Sequence, residues 1–575
     1  MNNPRNLLLL ALLFLGYLLW VQWQQDFHPS AQSAAAKSEV AQRGTAAATQ
    51  AAATQKSSSP EIPTASGPTA NPSGSTPAAS NDNQGTPPPA PSPIVVTTDV
   101  LRVEISPVGG TIVSAALLAY PTKPRDYADP VRLLDSQPDK FFVAQTGLVS
   151  SDAEAPSHQA MMHATRLSYG LAAGSDSIEV PLTWTDSAGL SVRKVFSFKR
   201  GSYVINERQE IANASSKEWI GNAYRQLQRV PPVLQTSGIK GYANTARYSF
   251  VGAAWYSREN KFEKLKFAKF KDDPLSKDFS GGWAAMLQHY FFAAWIPPND
   301  EVDHYSTAMV QADDQARYLI RAVSPPITVA PGAHAATSAR LYVGPKLQGT
   351  LDQVAPGLAL TVDYGIFTVI SEPLHWILSL FHKLTGNWGF AIILLVLLIK
   401  AVFFKLSEAQ YRSMAKMRKM QPRIKALKDR YGDDRQKVNA AMMELYKKEK
   451  INPLGGCLPM LVQIPVFFAL YWVLLESVEL RQAPFILWIH NLTAPDPYYV
   501  LPALNALAML ATQWLTPNAG MDPMQAKMMK IMPLAFSVMF AFFPAGLVLY
   551  WTVNGTLSLA QQWIITKRID AGQKA

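Results

Sequence analysis

The chain has 575 residues, 53 Lys/Arg against 42 Asp/Glu for a net charge of +11, and 48% hydrophobic residues. Its one cysteine, Cys457, excludes an intramolecular disulfide, and the long region before Lys400 has none, which excludes a cysteine-based zinc or redox site there. The positive charge does not point to nucleic acid, because its densest part, 14 Lys/Arg against 6 Asp/Glu between Lys405 and Lys450, adjoins an apolar block, the positive-inside pattern of a cytoplasmic loop.

Residues 1–25 contain the uncharged run LLLLALLFLGYLLWVQW, long enough to cross a bilayer core about 30 Å thick. The small residues of SAQSAAA lie well beyond it, so it reads as an uncleaved anchor with its N-terminus inside rather than as a signal peptide. Residues 26–93 are rich in Ala, Ser and Pro, with no aromatic from Ser30 to Pro93; such a segment cannot bury a core and reads as a disordered tether.

Residues 94–345 change character, with strand-like runs such as VLRVEISPVGG, RKVFSFKRGSYVINERQEI and HYFFAAWIPP between Gly, Pro, Asn and Asp. They predict a large, mostly antiparallel β domain, placed on the outer side of the membrane by inward-pointing spans before and after it, which is the periplasm in a cell that has one. In residues 346–386 the apolar positions Phe367, Ile370, Leu374, Ile377, Phe381 and Leu384 recur at helical spacing, with Glu372, His375, Ser379 and His382 elsewhere on the wheel. This predicts an amphipathic helix along the membrane surface.

A second span is predicted over 387–406, in which the stretch from Asn387 to Phe404 crosses with Lys400 as its only charge. Residues 407–457 predict a cytoplasmic helical hairpin: Tyr411, Met414, Met417, Met420, Ile424, Leu427 and Tyr431 face Val438, Met442 and Leu445, Pro422 kinks the first arm, Gly432 stops it, and Asp433 or Asp434 caps the second. Four further spans fall in 458–566, the last two divided by FFPAG, and residues 567–575 form a cytoplasmic tail. The whole predicts a six-span α-helical membrane protein with both termini cytoplasmic and a five-span core.

No GxxxxGK[ST], HExxH or GxSxG motif occurs, so the sequence shows no nucleotide motor, zinc hydrolase or serine hydrolase signature; no enzyme activity and no cofactor are expected. A lysine at the centre of a span costs about 2.5–3.5 kcal/mol on insertion scales. Lys400 lies near the cytoplasmic end, where snorkelling would relieve that cost, and no intramembrane carboxylate is visible to pair with it, apart from Glu476 near the outer end of its span. An anion transporter with Lys400 as its binding charge would show paired repeats or broken helices in two halves, and none is seen. A glycan-binding or glycan-modifying β domain would need an acid/base pair that sequence does not reveal.

The stretches AQYRSMAKMRKMQPRI, NPLGGCLPMLVQIPVFFALYWVL, SVELRQAPFILWIHNL, DPYY and FPAGLVLYW, in order from Ala409 to Trp551, resemble the YidC/Oxa/Alb family of membrane protein insertases in its Gram-negative form. The resemblance implies a periplasmic β-supersandwich of the kind shared with sugar mutarotases, and a water-accessible groove that inserts and helps fold membrane proteins in the cell inner membrane. It implies nascent membrane proteins, the Sec translocon, the ribosome and membrane lipids as partners. It places Lys400, Val396, Gln463, Tyr550, Trp551 and Asn554 along the substrate groove, and Tyr411, Met414, Met417, Arg418, Asp429, Arg430 and Arg435 among the hairpin contacts. Lys400 stands where the family most often has arginine, and Val396 where it can have a hydroxyl residue.

Overall fold

The computed structural model describes residues 61–63, 91–232, 249–432, 434–448, 458–515, 531–532 and 535–571. The predicted anchor (1–25) and most of the tether therefore lie outside the described residues.

Strands run from Ile94 to Pro345 and form an eleven-stranded and a nine-stranded sheet among the described residues. Nearly all pairings are antiparallel; Ile94–Thr97 with Ser168–Gly170 is the parallel exception. Alternating strands such as LRVEI at Leu101–Ile105 bury every second side chain, as a strand with one face on a core must. Phe196, Phe198, Trp295, Ile320 and Leu341 meet between the sheets in one apolar cluster. Ionisable groups are buried there too: Lys194 Nζ donates to the carbonyls of Gly109 at 2.7 Å and Thr146 at 2.9 Å, which replaces the hydration it loses.

The outer face of the nine-stranded sheet continues into the helical region. Trp283, Phe292 and Tyr342 from the sheet share a second cluster with Leu358, Leu378, Leu395, Leu470 and Val548 from beyond it. After helix α1 (Gln348–Val354), α2 (Thr368–Thr385) ends at Gly386, whose φ of +66° is the left-handed stop that a glycine adopts without strain. Asn387 then caps α3 (Trp388–Val402), its Oδ1 accepting from Gly389 N at 2.8 Å and Phe390 N at 3.3 Å. A Cβ on Gly389 would sit 2.0 Å from the Phe485 ring, so this helix–loop contact requires glycine.

The second span differs from its prediction. Instead of running through 387–406, the helix breaks at Phe403 and turns by 64° into α4 (Phe404–Lys419). At 1.5 Å per residue the 15 residues of α3 reach only about 22 Å. Among the described residues no single helix is long and apolar enough to cross a membrane, although α3 and α4 pass together as a bent pair.

In α2 the polar positions are divided: Glu372 is exposed, but others are not. Ser371 and His375 are buried against the protein, and Ser371 Oγ donates to the Ala469 carbonyl at 3.1 Å. Val369, Trp376, Leu380 and Leu384 face outward instead, with Val369 83% and Leu384 73% exposed. The predicted apolar face is thus divided: Leu374 is buried while Leu384 is not.

The hairpin forms from α4, α5 (Gln421–Tyr431) and α6 (Arg435–Lys448). Met420 and Ile424 pack on Met442, flanked by Leu445 and Tyr446, as the stripes predict. The first arm is broken at Met420, two residues before Pro422. Gly432 has φ +54°, and Asp434 Oδ1 accepts from Lys437 N at 3.1 Å; Asp433 lies outside the described residues. Helices α7 (Leu458–Glu476), α8 (Val500–Leu515) and α9 (Ala545–Ala571) complete the region. The FFPAG turn docks on the α7–α8 loop, where Ala545 N donates to Ala494 O at 2.7 Å and Gly546 N to Leu492 O at 2.8 Å.

Candidate functional site

Lys400 comes from the last turn of α3 and is 6% exposed. Its Nζ donates to Ser558 Oγ on α9 at 2.7 Å, and that hydroxyl donates to the Asn554 carbonyl one turn back, also at 2.7 Å. Tyr411 OH, from α4, donates to the Ser558 carbonyl at 3.3 Å. Three helices therefore converge on one serine. Beside it Leu397, Lys400, Ala401, Phe404, Leu557 and Gln561 line a cavity of about 420 Å³, and Gln561 Oε1 is buried with no hydrogen-bond partner among the described residues. No carboxylate lies within ion-pair distance of Lys400 among the described residues. The charge thus has a hydrogen-bond acceptor but no counter-charge.

Trp551, Asn554, Ser558 and Gln561 recur at spacings of three and four, the repeat of one helix face. The Trp551 ring meets Phe467 of α7 edge-on at 4.8 Å and lies 5.3 Å from Phe540, leaving its indole N–H buried without a partner among the described residues. This face carries a large amphipathic ring at one end and hydrogen-bonding groups beside Lys400 at the other.

Not every predicted groove residue lies there. Val396 is 1% exposed inside the apolar cluster, and Tyr550, 6% exposed, belongs to the same cluster with its ring 6.1 Å from Phe467. Gln463 is half-buried on α7 and does not line the cavity. A hydroxyl partner for Lys400 is supplied from α9 by Ser558, not from the turn before it. Ser558 and Gln561 were not among the predicted site residues; their helical spacing from Trp551 was the available signal. In the hairpin, Tyr411 reaches the site, whereas Asp429 and Arg430 are exposed near the far end of α5. The side chains of Met414, Met417, Arg418 and Arg435 lie outside the described residues.

At the other end of α7 the charge is neutralised. Glu476 Oε1 accepts from Ser249 Oγ at 2.7 Å, and Lys346 Nζ lies 3.9 Å from Glu476 Oε2, both side chains almost fully buried. His289 Nε2 donates to the Leu475 carbonyl at 2.9 Å; burial holds this histidine down at about 3, so it stays neutral. Lys346 closes the last strand of the β domain, His289 precedes another, and both grip the helix end. Burial raises Glu479, in the following turn, to about 7, and Arg481 donates to the Pro121 carbonyl at 2.8 Å. No cluster of three or more potential metal-ligating side chains occurs among the described residues.

The described residues thus form a helical core, with a buried cation that has no counter-charge among them, joined to a large two-sheet domain, and the relatives of this chain are membrane protein insertases. The YidC periplasmic domain family matches residues 93–377 and the 60Kd inner membrane protein family residues 380–573. The membrane protein insertase YidC of Thioalkalivibrio sulfidiphilus is 45% identical over 583 residues, covering 100% of each chain; that of Methylococcus capsulatus is 49% identical over 478 residues, 83% of this chain and 86% of the relative. A crystal structure of an active YidC insertase aligns over 82% of this chain and 92% of its own at 18% identity and a TM-score of 0.37. The chain belongs to the YidC family of membrane protein insertases. It is an inner-membrane insertase and not an enzyme, and its clients are nascent membrane proteins.

Proposed function

We propose that the Lys400 cavity is where a client's polar segment is first held, and that Lys400 attracts its acidic groups. The observation that carries this is the pairing of Lys400 with the neutral Ser558 hydroxyl and, among the described residues, with no carboxylate. An opposite charge arriving within about 4 Å gains roughly 4 kcal/mol of attraction at an effective dielectric of 20, before desolvation. Trp551 and the α9 face below it guide the chain, and the client's apolar helix leaves into lipid, where each buried methylene contributes about 0.8 kcal/mol. No nucleotide drives this step.

In this reading the β domain lies in the periplasm, both termini and the hairpin lie in the cytoplasm, and six spans cross the membrane. The shortness of α3 fits a locally thinned bilayer, and the outward Val369, Trp376, Leu380 and Leu384 of α2 contact lipid at the outer surface. The basic α4–α6 region suits the ribosome on the inner side, and the Sec translocon is a lateral partner.

Neighbouring positions on α3 provide the test. A photo-crosslinker at Leu397, which lines the cavity, should capture a stalled nascent chain, whereas one at Val396, buried inside the apolar cluster, should not. Equal capture from both, or from neither, contradicts the assignment of the cavity.

A further inference from the structure

The segment Lys261–Lys271 carries five lysines and one glutamate, and all five lysines are exposed. It opens as the terminal strand of the nine-stranded sheet and continues into the short turn Phe267–Lys269. The terminal strand's Phe262 ring lies 5.9 Å from Trp283, which belongs to the cluster shared with the helical core, so this side of the strand looks toward the membrane region. Two residues on, Lys264 forms an ion pair with Asp363. Asp363 Oδ1 accepts from Gly365 N at 3.0 Å and so fixes the turn that leads into α2. Immediately beyond stand Ile366, 90% exposed, and Val369, 83% exposed. The basic edge is thus tied directly to the outward apolar stripe.

We infer that Lys266, Lys269 and Lys271, anchored through Lys264, form a docking surface for the anionic headgroups of the lipid leaflet that α2 contacts. This rests on the reading that the exposed stripe of α2 faces lipid. Positive charge meets negative headgroups at the height where apolar side chains enter the hydrocarbon, an arrangement in which each lysine adds independently to surface attraction. Asp272 and Asp273 follow the run and limit it on that side. The simpler function for lysines on a terminal strand is to block edge-to-edge pairing. That role would be indifferent to lipid charge, which makes the two separable. The surface would hold the β domain at a fixed tilt over the core, independently of the buried Lys346–Glu476 contact.

The test uses the full chain in nanodiscs of purely zwitterionic lipid and of zwitterionic lipid mixed with phosphatidylglycerol, with hydrogen exchange read by peptide. Both nanodisc faces are open, so the result does not depend on which side the β domain occupies in the cell. Phosphatidylglycerol should slow exchange across 266–271 and leave the buried Trp283–Leu287 strand unchanged as the folding control. The amount needed for half of that effect should rise about fivefold for each lysine replaced in the series Lys266→Gln, Lys269→Gln and Lys271→Gln. The Arg counterparts should retain the effect, and salt near 1 M, where the screening length falls to about 3 Å, should abolish it. Equal exchange in both lipids, or slowing that survives all three Gln substitutions, overturns the inference. Slowing seen only when an acidic client is added overturns it in favour of a client contact. Failure of the underlying reading has a different signature: a nitroxide at Val369 would be reached by a water-soluble nickel complex rather than by oxygen in every lipid mixture.

Discussion

Two buried lysines stand at opposite ends of the helical core and live under different rules. Lys346, 2% exposed, sits 3.9 Å from a carboxylate that a serine also binds; Lys400, 6% exposed, touches a hydroxyl and a cavity. A buried cation with a counter-ion is spoken for. One without it holds its field open to whatever enters. In the proposed reading the same residue type serves as a clamp in one place and a receptor in the other, and what distinguishes them is the neighbour, not the burial.

The comparison can be broken first at the clamp. Replacing Glu476 by Leu leaves Lys346 buried and uncompensated, and should cost about 3–5 kcal/mol, whereas the double variant Glu476→Leu with Lys346→Met should recover most of that loss. Thermal unfolding in detergent, followed separately for the β domain and the helices, checks it; additive losses would show that the two side chains do not interact.

A third buried charge sharpens the contrast from the opposite sign. Asp303, in the β domain, is 1% exposed and neither of its oxygens has a hydrogen-bond partner among the described residues. Burial raises it to about 7, with Arg225 pulling the other way and Glu301 adding to the rise. Because its folded pKa lies above the ordinary 3.8, its contribution is complete below pH 3.8 and is lost as the pH rises through about 7. Stability should therefore fall over that interval, and Asp303→Asn should flatten the fall, by on the order of 2 kcal/mol at pH 8. Unfolding free energies of both proteins between pH 5 and 8, within that interval and just above it, supply the measurement; parallel curves would remove Asp303 from the account.

At the receptor end, Ser558→Ala should have the smallest effect. It removes one hydrogen bond, worth about 0.5–1.5 kcal/mol net, but not the charge, so insertion should slow only a few-fold while client range is kept. A loss as deep as that of a Lys400 charge reversal would mean that the serine, and not the field, receives the client.

What the sequence made legible follows from the range of the forces involved. The β domain, the packing of Met420 and Ile424 on Met442 and the Gly432 turn are written in the local sequence and reappear in the structure, whereas the helix over Thr368–Thr385 forms without the faces its periodicity predicts. The Lys346–Glu476 clamp joins residues far apart along the chain, so no local pattern announces it. His375 was hidden for the same reason: it reads as outward on the wheel until the Glu479 turn is placed beside it. Val396 misled because a residue one turn from Lys400 should share its face, yet the two side chains diverge, one into the apolar cluster and one to Ser558. The break at Phe403 has no proline or glycine to mark it.

The central claim is that the uncompensated charge at Lys400 receives the client, and charge substitution at that position tests it most directly. Lys400→Arg, Lys400→Leu and Lys400→Glu, reconstituted in liposomes at equal amounts of folded protein, should be compared by protease protection of a single-span client with an acidic translocated tail. The account predicts that Arg retains protection, Leu loses a substantial part of it and Glu abolishes it. Equal protection by Lys, Leu and Glu would contradict it, and would leave Lys400 as a side chain that only reaches toward the membrane surface.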